Sequence, residues 1–190
     1  FNGQISLGHG AFFAVGAYTS AIVTTVATEK HLGGFDLPIP FGLAAAAIVA
    51  GVTGWAVAKI CVRLKSDYLA MASVGIAEIL RLVIVNEQWL TNGSLGISGV
   101  PRPFGDTFQG RSSDIAYLAV VWVIVAVVYI ICQRLNDSPW GRTLRAIRDN
   151  EASAHAAGKD VDWFRLQTFV IGCAIMGVAG ALSAHYFKFL

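Results

Sequence analysis

Three groups of residues in this chain have the types and spacing that chemistry needs. Glu78 and Arg81 stand three apart, so on a helix they share one face and can pair. Both lie in the inner two-thirds of a segment otherwise made of Ala, Val, Ile and Leu. An unpaired charge in hydrocarbon is costly, so pairing or a wet cavity is required. Either Glu78 and Arg81 line or gate a polar path, or they form an ion pair that fixes their helix against a neighbour. The second group is Asn2-Gly3-Gln4-Ile5-Ser6-Leu7-Gly8-His9-Gly10. Its glycines weaken a helix where an apolar segment begins. It reads either as an unwound or re-entrant start, with Gln4, Ser6 and His9 on a substrate path, or as an interfacial loop before an ordinary helix. The third is the stretch 136–162. Ser138 before Pro139 is an N-cap with proline at the first helical position. Leu144, Ile147, Glu151 and Ala154 or His155 fall on one face, and Gly158 is placed as a stop. The pattern predicts one amphipathic helix on the membrane surface, with Arg142, Arg145 and Arg148 as a basic row at spacing three. Such a row suits anionic lipid headgroups or a docking protein; the length, the apolar face and the break at Gly158 favour docking.

Other chemistries lack residues. No G-x-x-x-x-G-K-[ST] loop exists, so ATP is not bound by that route. Four scattered histidines form no metal constellation. No nucleophile elbow or catalytic carboxylate pair stands out. Formal net charge is +2, too small to suggest nucleic-acid binding. Cys61, Cys132 and Cys173 have no CxxC spacing and read as small packing residues.

The elements that must position these groups are apolar segments of about twenty residues, the length that crosses a hydrocarbon layer about 30 Å thick as a helix. They cover about 7–27, 41–62, 68–85, 115–132 and 164–187. The chain is 55% hydrophobic and 14% charged, against about 25% charged in soluble domains. Backbone groups in lipid must be satisfied internally, so the expected fold is all-α, a polytopic helical bundle with five spans. Gly42, Ala46, Ala50, Gly54 and Ala58 make a ridge of small residues, and Gly177/Ala181 and Gly180/Ala184 repeat it. These ridges point to close helix packing, a bundle and not a pore.

Basic residues mark the cytoplasmic side. Lys59, Arg63 and Lys65 crowd the second connection, and Arg134, Arg142, Arg145, Arg148, Lys159 and Arg165 the fourth. Connections 29–40 and 88–113 are poorer in them and are expected outside, with 136–162 cytoplasmic. The Gly- and Pro-rich stretch 92–113 is expected to be ordered on the outer surface.

The run Gly3 to Phe13, followed by Gly16-Ala17-Tyr18, resembles the signature of the LivM-type permease of branched-chain amino acid ABC importers. Tyr68-Leu69-Ala70 through Glu78-Ile79-Leu80-Arg81 is similar to a further stretch of that family, as is Gly96 to Pro103. Ser138 to Arg142, Ala146 to Glu151 and Ala157-Gly158 resemble its cytoplasmic coupling loop. The resemblance runs from residue 3 to about residue 182. It implies a fragment of one transmembrane permease domain in the cell inner membrane, with helices missing at both ends. It also implies a second permease subunit, two cytoplasmic ATPase subunits and an extracytoplasmic substrate-binding protein. The chain would be no enzyme and hold no cofactor, since ATP is bound by the partners. Glu151 to Gly158 would be the coupling element, similar to the EAA loop of ABC importers, with Ser153 where that pattern has Ala and the glycine one position late. Urea and short-chain amide permeases have similar motifs. An ion-coupled transporter with Glu78 as carrier is a further alternative, and a non-transporting scaffold a third.

Overall fold

A computed structural model describes residues 8–26, 34–61, 66–93, 96–103 and 111–190. The apolar segments form helices, and the described residues are all-α. In order they are α1 (His9–Thr24), α2 (Ile39–Cys61), α3 (Ser66–Asn86), α4 (Gln88–Thr91), α5 (Arg111–Asp137), α6 (Pro139–Asp149), α7 (Glu151–Ala156) and α8 (Val161–Phe187). Extended pairing among the described residues is confined to two isolated bridges, Val26 with Phe35 and Ser98 with Phe189. Four helices are long and apolar enough to cross a membrane: α2, α3, α5 and α8. The first expected span is shorter in its described part. α1 has 16 residues, about 24 Å at 1.5 Å per residue. Of the sequence-derived candidates, Gln4, Ser6, Arg63 and Lys65 lie outside the described residues, as do 104–110 of the long connection.

The small-residue ridges decide the packing. All five ridge positions of α2 are buried, as are Gly177, Gly180, Ala181 and Ala184 of α8. α1 lies against both helices, Gly16 facing the backbone of Gly177, and α2 meets α8 with Gly54 facing the side chain of Cys173. A Cβ added at Gly177 would stand 2.5 Å from the Ala50 Cβ and 2.7 Å from the Ala46 carbonyl oxygen. Lipid tails are as apolar as leucine, so this backbone-to-backbone approach, not a hydrophobic drive, holds membrane helices together. Phe12, Ala58, Phe169 and Cys173 fill the space where the ridges diverge, Phe12 meeting Phe169 edge-on at 5.8 Å. The cysteines match the packing role, with Cys61 and Cys173 buried and unpaired by disulfides.

α3 lies along the other side of α1. α5 packs on α6 and only loosely on α8. Just 6% of its apolar window is buried, so its flank needs lipid or further helices as a covering. Contacts fix the sense of each helix. Ser20 and Thr24 meet Gly42 at the start of α2, and the end of α8 pairs with the loop at 96–99. The end of α2 and the stretch 136–162 lie at the opposite end of the bundle. The end of α1, the start of α2 and the end of α8 therefore meet on one side of the bundle.

Candidate functional site

The connector after α5 is built from local caps. Ser138 is extended, and its hydroxyl accepts the Gly141 N–H at 3.3 Å with Pro139 at the first turn of α6. The single amphipathic helix expected over this stretch is in fact two. Asn150 is extended (φ −157°, ψ 102°), and its side chain accepts the Ser153 N–H at 3.0 Å, starting α7 afresh. An asparagine side chain competes with the helical ladder for backbone donors, and here the cap wins. Gly158 then turns the chain at φ +75°, a left-handed value that suits glycine. Asp160 caps α8 by accepting the Trp163 N–H.

Leu144, Ile147 and Ala154 are buried as the pattern predicts, Ile147 and Ala154 against Val161 and Phe164. Glu151 and His155, placed on that face by spacing, are exposed instead, because the break at Asn150 resets the helical phase. Glu151 finds another role. Its two carboxylate oxygens accept from both terminal nitrogens of Arg165, at 2.9 and 2.8 Å. Such a fork-to-fork pair joins α7 to α8 with defined geometry.

The three arginines do not form one exposed row. Arg145 Nη1 donates to the backbone carbonyl of Asn136 (3.1 Å) and to its side-chain oxygen (2.8 Å). That staples α6 to the carbonyl end of α5, where a cation is also favoured by the helix dipole. Arg148 pairs with its neighbour Asp149 at 3.0 Å. Arg142 is exposed and lines a groove of about 460 Å³ along the outer side of α6 and α7, with Thr143, Ala146, Ser153, Ala157 and Lys159.

Glu78 and Arg81 do pair. Arg81 Nε donates to Oε2 at 2.9 Å and Nη2 to Oε1 at 2.6 Å. The two side chains are 54% and 62% exposed within the chain, and the pair is internal to α3, so it does not tie α3 to a described neighbour. It opens instead on a groove of about 550 Å³ between α1 and α3. His9 is not part of that groove. A Cβ at Gly172 would lie 3.9 Å from His9 Nε2, which places the imidazole against α8.

The start of α1 is deep. Gly8 abuts the Ser73 backbone, five residues into the apolar span of α3, about 8 Å at 1.5 Å per residue. Gly172 is eleven residues past Val161, about 16 Å along α8 by the same rise. Two neighbours thus place the start of α1 at membrane depth, with Gly8 buried against α3.

At the opposite end, the structure assembles polar residues that the sequence reading passed over. His185 is fully buried, its Nε2 2.9 Å from Ser20 Oγ and its Nδ1 2.7 Å from the Pro101 carbonyl. Arg102 stacks between the rings of Tyr117 and Tyr186 (5.3 and 5.6 Å) and donates to Asp114 Oδ1 at 2.6 Å. Tyr117 in turn donates its hydroxyl to the Leu182 carbonyl. Ile97 and Leu190 exchange both backbone bonds, at 3.2 and 3.1 Å. These contacts clamp residues 96–102 of the long connection onto α8, α1 and α5. His185→Ala leaves the Ser20 hydroxyl and the Pro101 carbonyl without a partner. It is expected to cost about 2–6 kcal/mol, from about 1–3 kcal/mol for each of the two unsatisfied buried groups. Thermal unfolding of the purified protein in detergent measures it, and an unchanged midpoint would refute the clamp. The only sequence signal was the polar content of an apolar span, for the partners lie 84 and 165 residues away.

The geometry agrees with what the chain is similar to. The high-affinity branched-chain amino acid transport system permease protein LivM of Salmonella typhimurium is 31% identical over 96% of this chain and 46% of its own length. A LivM permease protein of Methanocaldococcus jannaschii is 29% identical, covering 96% of this chain and 52% of its own. The LivH permease protein of the same kind of system in Escherichia coli is 24% identical over 97% of this chain and 62% of its own. The chain thus spans about half the length of the LivM relatives it matches. No solved structure matches it. A model of the family described as branched-chain amino acid transport system / permease component matches residues 1–189, and with a multi-pass helical bundle beneath that match the chain belongs to this family.

Proposed function

We propose that the chain is part of the membrane permease of an ATP-driven importer of branched-chain amino acids. The arrangement that carries this reading is the connector 136–162. It projects two short helices from one end of the bundle and ties each to a different span, α6 to α5 through Arg145 and Asn136, α7 to α8 through Glu151 and Arg165. A partner that grips the groove beside Arg142 would move two spans at once. As the family resemblance implies, the ATPase would be a separate pair of cytoplasmic subunits. A second permease subunit would cover the bare flank of α5, and a substrate-binding protein would dock on the opposite side. The membrane is the cell inner membrane, with 136–162 cytoplasmic and 29–40 and 88–113 outside. Glu78 as an ion carrier is less well supported, because its carboxylate is held by Arg81.

The test is reconstitution of the intact transporter with its partners. ATP-dependent leucine uptake is expected, with ATPase subunits co-purifying. A cysteine at Arg142 should react with a membrane-impermeant maleimide only after cells are opened, and one at the exposed Ser98 from outside intact cells. Labelling of position 142 in sealed cells would overturn the orientation and the coupling role with it.

A further inference from the structure

We propose that the Glu78–Arg81 pair binds the charged head of a free α-amino acid, with the groove between α1 and α3 taking its side chain. This rests on the transport reading and assigns that reading a site. Position is the first argument. The α3 span runs from Tyr68 to Asn86, so Glu78 is one residue past its centre. An arginine that only tolerated lipid would extend towards the nearer end at Asn86. Arg81 turns back instead, its Nη2 2.6 Å from Glu78 Oε1.

Unused bonding capacity is the second argument. A guanidinium carries five N–H donors on separate edges. Glu78 takes the edge formed by Nε and Nη2. Among the described residues Nη1 makes no bond, so its edge remains for a second carboxylate, and the Glu78 oxygens keep lone pairs for an ammonium group. A zwitterion laid antiparallel to the pair gives each of its charges an opposite partner. The assembly stays neutral, so no net charge enters a region of low dielectric. A lone cation or anion would not balance in this way.

The walls supply the third. Ala11, Ala14, Val74, Ala77, Ile84 and Val85 line the groove beside the pair. Open space lies beyond Gly10, where an added Cβ would meet nothing within 4 Å. The volume of about 550 Å³ falls within the roughly 300–1,000 Å³ typical of small-molecule sites. Apart from Tyr18, the wall beside the pair is made of small residues on α1 and apolar ones on α3, which suits an aliphatic side chain.

The test uses the intact transporter in nanodiscs without binding protein, with Ala14→Cys as reporter and Cys61, Cys132 and Cys173 replaced by Ala. Leucine at saturation is expected to slow alkylation of position 14 by at least fivefold. Leucinamide, which lacks the carboxylate, and 4-methylpentanoate, which lacks the amine, should each slow it less than twofold. Glu78→Gln with Arg81→Gln should abolish the leucine effect. Equal protection by the three compounds, no protection by leucine, or full protection in the double variant overturns the proposal. If the double variant does not fold, the comparison of compounds on the native pair still decides. ATP-driven uptake by the unsubstituted transporter, reconstituted in vesicles with its binding protein, separates the two levels. Uptake without protection rejects the site and keeps the permease, whereas no uptake rejects the permease reading itself.

Discussion

Gly16→Val is expected to leave no folded bundle. A Cβ at Gly16 would fall on the backbone of Gly177, and one at Gly180 on the backbone of Phe13. Neither obstacle is a flexible side-chain end, so α1 and α8 must separate along their length. Overpacking of a tight interior costs about 1–3 kcal/mol and occasionally more. Here it also forfeits the close approach that holds membrane helices together. We expect Gly16→Val and Gly180→Val to yield no monodisperse protein on size exclusion in detergent. Gly10→Ala and Gly75→Ala are the controls, because an added Cβ at either site meets nothing within 4 Å. Those two should match the parent or gain up to about 1 kcal/mol in helix propensity. Equal melting of Gly16→Val and Gly10→Ala would mean that α1 and α8 do not touch as described.

Arg165→Ala should uncouple the transporter without dispersing it. The bidentate pair with Glu151 is a polar bond between α7 and α8, and α8 packs along both α1 and α2. Under the proposed coupling role, a push on α7 reaches the bundle through that pair. Removing it should cut ATP-driven uptake at least tenfold while ATPase subunits still co-purify and hydrolyse ATP. Glu151→Arg combined with Arg165→Glu re-forms the link in reverse and should restore much of the uptake. A simple docking role for Glu151 predicts the opposite, since the exchanged pair would still lack the carboxylate at 151. Full uptake by Arg165→Ala would remove this pair from the transmission route.

The spans were legible because lipid imposes one rule along the whole chain: apolar residues for about 30 Å, with the backbone satisfied within the helix. The faces of α2 and α8 were legible for a related reason, since a small residue every fourth position has few uses beyond close contact. The Glu78–Arg81 pair could be read because spacing on one helix fixes distance. The connector was read only in part. Ser138, Pro139 and Gly158 gave its ends, but spacing alone ran through Asn150, where a side chain closed a new cap and moved Glu151 off the buried face.

Sequence by itself thus located the apolar helices, their packing ridges and the local ion pair. Tertiary structure alone decided that His185 meets Ser20 and Pro101, that Arg102 sits between Tyr117 and Tyr186, that Glu151 reaches Arg165, and that α1 begins at the depth of Ser73. The reason is geometric. Periodicity records which face of a helix is buried, whereas the partner across an interface depends on the rotation and axial offset of two helices, and no repeat along one chain encodes those.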